Sequence, residues 1–452
     1  MRSKDEAFRI LGEALEVAAE GVDEAEISLL GGRLGVTRFA ENEVHQAMEL
    51  DRETIAIRVV KDGRAGRVET SDLSRESIEA AVRQARISAQ FLPRPAEPAS
   101  LPGPQSYRPV DGFDPAVDRA TAVDRTAPVG RVLLEAARRR LVAAGALETR
   151  VGPVDDTYEP HGVYAIANTK GVLSYYLSTH ARLSVTLHNV GGATGWAEAD
   201  SYSLGDLDAS SLFESAARKA VPTGPISLAP GRYTVVLEPA AVAALISFVG
   251  STAGGSELVA GSSFLAGRMG DSVTGSSVTI VDDFSHPLHR GAPFDLEGVA
   301  RKPVVLIERG IAKHAVYSRT TALREGVEPT GHLTSSALVD GTESAEHLVM
   351  QGGTGTPAEL VRGTSFGVLI SRLWYTRLVD KKTLSLTGLT RDGTFLIEGG
   401  ELGAPVGNVR FNVGVLDVLQ RVEAMSAAVR AGGAVVPGLR LDGFTITGGA
   451  AA

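Results

Sequence analysis

The sequence predicts an α+β protein with two small N-terminal α+β units and a larger strand-rich C-terminal domain, and three observations carry that expectation. Helical stripes at residues 5–19 and 72–90 flank a run of β-patterned segments. Two Pro/Gly-rich connectors, at 93–112 and 221–232, interrupt the chain where regular structure is hard to sustain. Everything after Arg232 is rich in glycine and short apolar alternations. The expected units are therefore residues 1–92, 113–220 and 233–452, consistent with a chain of 452 residues dividing into domains of roughly 100–200 residues each.

Taken in order, the first helix spans about Asp5 to Ala19, with Phe8, Leu11, Leu15 and Ala18 on one face and Gly21 beyond its end. Strands follow through residue 70, with Asp62-Gly63 between alternating runs as a hairpin signal. A second helix opens on Asp72 or Ser74 and buries Ile78, Ala81, Val82 and Ala85. Six prolines between Phe91 and Pro109 give a stiff extended connector. The central unit begins with an Ala- and Arg-rich helix. It continues in antiparallel strands around the "NTKG" turn at Asn168 to Gly171 and closes with a helix near Ser210 to Ala220. Beyond the second connector, "YTVVLEPAAVAALISFVGS" runs from a strand through Glu238-Pro239 into an almost purely apolar helix to Gly250. A further helix is expected at about Leu416 to Ala431.

Composition excludes several classes. The net charge of −9 and the lack of a Lys/Arg stripe argue against nucleic acid, and "ARRR" at Ala137 to Arg140 reads as a solvated helix face. With no cysteine, disulfides, thiolate zinc sites and Cys nucleophiles are absent. The amphipathic start does not read as a secretory signal. The longest apolar run, Ala240 to Val249, is about half of what a bilayer span requires, so no membrane association and a cytoplasmic location are expected.

Candidate chemistry is sparse. "HPLH" at His286 to His289, after Asp282-Asp283, offers two imidazoles and two carboxylates, but its spacing and proline fit a surface turn better than a zinc signature. No serine sits in a G-x-S-x-G strand-to-helix elbow, and "GGTGT" at Gly352 to Thr356 lacks the ending of a phosphate loop. His45 in "RFAENEVHQ" reads as a structural histidine. "RLWYTRLVDKKTLSLTGLTRDGTFLIEGGEL" pairs aromatic and basic residues on strand ends, with an Arg391-Asp392-Gly393 turn. Such a surface can hold an extended peptide along an open sheet edge, and an ordinary β meander is the alternative. Candidate substrate contacts are Arg372, Tyr375, Arg391, Asp392 and Thr394.

Together, "RFAENEVHQ", "VVLEPAAVAALISF", "GSSFLAGRMGDSV", "PFDLEGVARKPVVLIERG", "TGH" (Thr330 to His332) and the 372–402 stretch resemble the TldD/TldE (PmbA) family in order. In that family a zinc-bearing subunit carries H-E-x-x-x-H on the helix after the "LEP" strand, with a later Cys as a further ligand. Placed on that motif, this chain has Ile246 and Ser251 at the His positions and Ser247 at the Glu. The resemblance implies a TldE-like subunit of a cytoplasmic peptidase that is non-catalytic by itself, with no metal in this chain and zinc in a TldD-like partner. It also implies unfolded or leader peptides as substrate. Val242, Leu245, Ile246 and Val249 at i, i+3, i+4 and i+7 then make the helix a packing element. The alternatives are a stand-alone hydrolase using His286, His289 or His314, a biosynthetic enzyme acting on a peptide-like compound, and a homodimeric peptide binder or regulator.

Overall fold

The structure, a computed structural model, describes residues 1–94, 100–153, 162–335 and 342–449. It is mixed α+β and strand-rich. Helix α1 (Lys4–Ala19) starts on a capping box formed by Ser3 and Glu6 and buries Ile10, Leu11, Ala14 and Ala18. Strands β1 (Glu24–Ala40), β2 (Glu43–Lys61) and β3 (Arg64–Thr70) follow as an antiparallel meander. Its second turn is the expected Asp62-Gly63 pair, with φ of 50° and 70° as a two-residue primed turn demands. Helix α2 (Arg75–Phe91), capped by Ser74, packs Ile78, Ala81, Val82 and Ala85 onto the same core as α1.

The first connector has no helix or strand from residue 100 to Asp114, and Pro95 and Pro98 lie outside the described residues. It is nevertheless pinned on both sides: Asn168 Nδ2 donates to the Pro102 carbonyl at 3.0 Å, and the Tyr107 hydroxyl donates to the Gly298 carbonyl at 2.7 Å. After it come α3 (Pro115–Asp118), α4 (Ala122–Arg138) and β4 (Leu141–Val151). Next are β5 (Val163–Asn168), β6 (Leu173–Tyr175), β7 (Thr179–Asn189), β8 (Thr194–Ser201) and α5 (Ala209–Ala217). The basic patch at Ala137 to Arg140 falls at the end of α4, where Arg139 pairs with Glu135 and Glu214.

Strands β1 to β8 all belong to one sheet, with the path β3-β2-β1-β4-β7-β8, and β5 also on β1. Strand β1 is therefore shared: it pairs with β2 along its length, with β4 from Arg33 to Phe39 and with β5 from Glu26 to Leu30. Its burial follows, since almost every residue from Ala25 to Thr37 is buried. The two N-terminal units expected on either side of the connector are thus joined through a common sheet.

The remaining chain carries β9 (Gly231–Leu237), α6 (Pro239–Ser251), α7 (Gly255–Val259), β10 (Ile280–Asp282), β11 (Val304–Glu308), β12 (Ile311–Ala312), α8 (Arg319–Glu325) and β13 (Leu333–Ser335). It continues with β14 (Thr342–Glu343), β15 (Leu348–Met350), α9 (Pro357–Arg362), β16 (Phe366–Asp380), β17 (Ser385–Glu398), β18 (Glu401–Pro405), β19 (Val409–Gly414) and α10 (Val415–Gln420). It ends in β20 (Val422–Met425), β21 (Val429–Ala431), β22 (Ala434–Val436) and β23 (Leu439–Gly449). The order β16-β9-β23-β19-β17, together with a β16–β17 pairing, closes five strands on themselves. A second sheet runs β12-β11-β10-β15-β22-β21. Helix α6 packs against both, touching β9 and β16 on one side and β15, β21 and β22 on the other. Among the described residues no helix is long and apolar enough to cross a membrane.

One expected element fails. The helix predicted for Leu416 to Ala431 exists only as α10, and the rest becomes β20 and the β21–β22 hairpin. Gly432 and Gly433, at φ 52° and 79°, form a primed two-residue turn, and β20 takes its register from β23. Tertiary pairing outweighs the helical spacing of the apolar residues here.

Candidate functional site

The apolar helix α6 begins with Pro239 at its first turn after an extended Glu238, a start that needs no hydrogen from the missing proline N–H. Val242, Leu245, Ile246 and Val249 are all 0% exposed and sit in the largest hydrophobic cluster. Ser247 and Ser251 lie on the opposite, exposed face. Their hydroxyls are turned back onto the helix, donating to the Ala244 carbonyl at 3.1 Å and the Phe248 carbonyl at 3.3 Å. The helix thus presents to solvent two small hydroxyls already committed to its own backbone.

The five residues singled out as substrate contacts fall around β16 and β17. Tyr375, Arg391, Asp392 and Thr394 line one recess of about 480 Å³. Arg372 stands behind it in an ion pair with Asp392, and Arg391 Nε lies 3.3 Å from the same carboxylate. The expectation of an Arg391-Asp392-Gly393 turn is corrected. These residues are inside β17, where Asp392 (φ 51°) and Gly393 (φ 127°) make a bulge opposite a register shift between Ile370 and Arg372. The chain does not reverse there because β16 continues on both sides of the bulge, and the hairpin between the two strands turns instead at residues 381–384. A Cβ at Gly393 would come within 2.6 Å of Ser371 Oγ, so glycine is demanded by space as well as by φ.

The expected strand-end location is corrected by the same geometry. Arg372 and Arg391 face each other as ladder partners within a closed circuit of strands. An open stretch persists on the other edge of β17. Its pairing with β19 stops at Leu389 and its pairing with β18 begins at Phe395. Among the described residues, Arg391 to Gly393 have no ladder partner on that side, and the recess lies there.

Residues from another part of the chain complete this surface. Thr194 Oγ1 of β8 donates to Asp392 Oδ1 at 3.2 Å. Trp196 places its ring 4.7 Å from the Arg372 guanidinium, and Trp374 lies 4.5 Å from that of Arg391. Burial holds the Arg372 guanidinium below its ordinary value, with Asp392 pulling the other way. Just behind, Lys219 Nζ bridges Glu238 Oε2 at 2.7 Å and Ser371 Oγ at 2.9 Å, tying the end of the central unit to the residue that opens α6. Nothing in the local sequence of 372–402 points to Thr194, Trp196 or Lys219. Thr194 and Trp196 reach the site through the packing of β8 against β17, and Lys219 from the end of α5.

The buried His289 and His332 are engaged in hydrogen bonds away from this recess. His289 Nε2 donates to the Leu348 carbonyl at 3.0 Å, and its Nδ1 accepts from Arg430 Nη1 at 3.2 Å. Burial pushes its pKa down to about 4, which keeps the ring neutral. His286 Nδ1 accepts from the Leu288 N–H. His314 and His45 are exposed. His332, of the "TGH" stretch, is completely buried and paired with Asp282 at 3.0 Å. Among the described residues there is no group of three or more His, Cys, Asp or Glu able to hold a metal ion. Gly352 to Gly355 form an exposed loop leading to Thr356, whose side chain caps the short helix α9.

This closed strand circuit, with its apolar helix wedged against a second sheet, is the part of the chain that a metallopeptidase domain model matches. Residues 230–448 match the PmbA/TldA metallopeptidase C-terminal domain, and residues 25–89 match PmbA/TldA metallopeptidase domain 1. The chain belongs to the TldD/TldE (PmbA) family. Among its relatives, a metalloprotease of Methanothermobacter thermautotrophicus is 26% identical over 203 residues, 45% of this chain and 44% of that one. A metalloprotease of Methanocaldococcus jannaschii is 27% identical over 198 residues, covering 43% and 44%. The match thus spans under half the length of these relatives. TldE of Thermococcus kodakarensis shares the fold, with a TM-score of 0.86 at 21% identity over 97% of this chain and 100% of that chain. So does a Thermotoga maritima protein described as a candidate modulator of a DNA gyrase, at 0.81, 20%, 98% and 100%.

A metallopeptidase relationship raises the question of zinc. The residues on α6 do not fit it. Ile246 has no lone pair and is sealed in the core, while Ser247 and Ser251 are neutral hydroxyls bonded to helix carbonyls. The chain has no thiol to add.

Proposed function

We propose that this chain is the non-catalytic, peptide-holding subunit of a heteromeric zinc metallopeptidase, paired with a relative that carries H-E-x-x-x-H. The observation that carries this reading is the donor set of α6: an aliphatic side chain turned into the core, and two serines, where such a relative has two imidazoles and a carboxylate. In the zinc mechanism a metal and a base together activate the water, so neither the nucleophile nor its proton acceptor is available from this helix. The β17 recess supports the binding half of the reading. Among the described residues it offers an unpaired strand edge three residues long and the Arg391 guanidinium beside the Trp374 ring, with Asp392 held from behind by Arg372. An extended peptide, unfolded or a leader segment, has the backbone and side-chain pattern to use these. The proposed setting is the cytoplasm.

Co-expression with an H-E-x-x-x-H relative from the same genome tests the reading. The expected result is a co-purifying complex that cleaves unfolded peptide, with each subunit inert alone. Peptide cleavage by this chain alone, after metal removal and zinc addition, would refute the non-catalytic assignment. Separate elution of the two chains would favour a homodimeric peptide binder.

A further inference from the structure

A second recess, of about 410 Å³, lies in the seam between the N-terminal sheet and the 289–301 segment, with β13 and β21 also contributing to its wall. It opens between Thr179 and His180 of β7 on one side and the 289–296 segment on the other, and nothing in the peptide-groove reading uses it.

Among the described residues, the charges on its wall do not balance. Arg430 is answered by Asp200, which it meets at 2.6 Å and which also accepts from His180 Nε2 at 2.5 Å. Arg301, whose side chain is 6% exposed, faces Glu346 at 3.4 Å, and its Nη1 has no hydrogen-bond partner among the described residues. Asp295 spends both oxygens on main-chain N–H groups of Glu297, Val299 and Leu333. Burial and then Glu297 push its pKa up to about 7, which withdraws part of its charge. Arg290 is left over: its partners are the Pro287 and Asp111 carbonyls, at 3.0 and 2.8 Å, with no carboxylate among the described residues.

Arg290 is also held still. Its backbone has φ 51°, a left-handed conformation that few non-glycine residues adopt. The Tyr176 hydroxyl locks that conformation by donating to the Arg290 carbonyl at 2.5 Å, and the guanidinium lies 3.7 Å from the centre of the Tyr202 ring. A cation fixed in this way, without a counter-charge and beside a concave surface, loses little freedom when an anion arrives. Phe294, Leu296 and Leu333 supply an apolar floor to the same recess.

We infer that this seam recess binds a carboxylate-bearing organic ligand, with the carboxylate on Arg290 and Arg301 and the carbon skeleton on Phe294, Leu296 and Leu333. A single negative charge matches the one guanidinium left without a carboxylate among the described residues. A phosphate dianion would meet Glu346 and Asp295 in the same wall and is disfavoured. The ligand is either a small organic acid or the free carboxyl end of a peptide.

Calorimetric titration of the full chain at low salt with butyrate, triglycine, triglycinamide and inorganic phosphate tests this. Saturable binding of butyrate or triglycine is expected, weakened about tenfold or more by amidation of triglycine or by Arg290→Gln, as loss of a charge-assisted contact implies. Arg290→Lys should retain most of the affinity. Butyrate binding as tightly as triglycine identifies a small acid, and a clear preference for triglycine identifies a chain end. The inference is overturned by equal binding of triglycine and its amide, by phosphate binding tighter than either acid, by unchanged binding in Arg290→Gln, or by no saturation with either acid up to ~10 mM. Should Arg290→Gln fail to fold, the acid and amide comparison on the native chain decides alone.

Discussion

Replacing Ile246 by alanine removes a fully buried side chain from the middle of α6, flanked by Val242, Leu245 and Val249, none of which has any exposure. The truncation deletes three carbons, worth about 0.8 kcal/mol each in transfer from water, or about 2.4 kcal/mol together. The cavity left between the closed strand circuit and the second sheet adds to this, so the total should be about 3 to 4 kcal/mol. Ser247→Ala, one residue further on, removes an exposed hydroxyl that bonds only to its own helix, and should change stability by no more than about 0.5 kcal/mol. Urea unfolding followed by fluorescence of Trp196 and Trp374 measures both. A cost below about 1 kcal/mol for Ile246→Ala, or a larger cost for Ser247→Ala, would refute the assignment of α6 to core packing.

Two further outcomes follow from the geometry. Gly393→Ala should destabilise by about 2 kcal/mol or more in thermal unfolding, because φ 127° is closed to alanine and its Cβ would strike Ser371; an unchanged midpoint would mean that the bulge is not rigid. His289 has a folded pKa of about 4 against about 6.5 unfolded, so the unfolded chain takes the proton first as pH falls. Its contribution is complete above about pH 6.5 and declines toward pH 4. Between pH 7 and pH 5, His289→Gln should therefore lose about 2 kcal/mol less stability than the native chain. Asp295, with its pKa raised to about 7, titrates in the opposite sense but is common to both chains and cancels in the difference.

Local pattern was enough to place the longer helices. The apolar stripes and caps of α1 and α2, the Asp62-Gly63 turn and the Asn168 to Gly171 turn depend on neighbours in sequence, and the structure has them all. What escaped depends on partners far away. Residues 422–431 carry a helical spacing of apolar groups, but β23 and the Gly432-Gly433 turn claim them as strands. Asp392-Gly393 has the composition of a hairpin turn, and only the continuation of β16 past it makes it a bulge. At the groove, Arg372 and Arg391 were visible as basic residues near aromatics, whereas Trp196 and Thr194 lie nearly two hundred positions earlier in the chain. Arg290 carries no local signal at all. Its neighbours read as a surface turn, and its importance arises from Tyr176, Tyr202 and Asp111, which belong to other segments.

Strand β1 hydrogen-bonds to the first meander on one side and to β4 and β5 on the other, so it works as a shared spine rather than as the edge of one module. A break in the proline-rich stretch would free a piece that still owes seven rungs, Arg33 to Phe39, to its former neighbour. Separated, each half would expose a raw border of peptide groups, an invitation to stick to other chains. Cutting the chain at the composition boundary would therefore sever a sheet rather than a hinge.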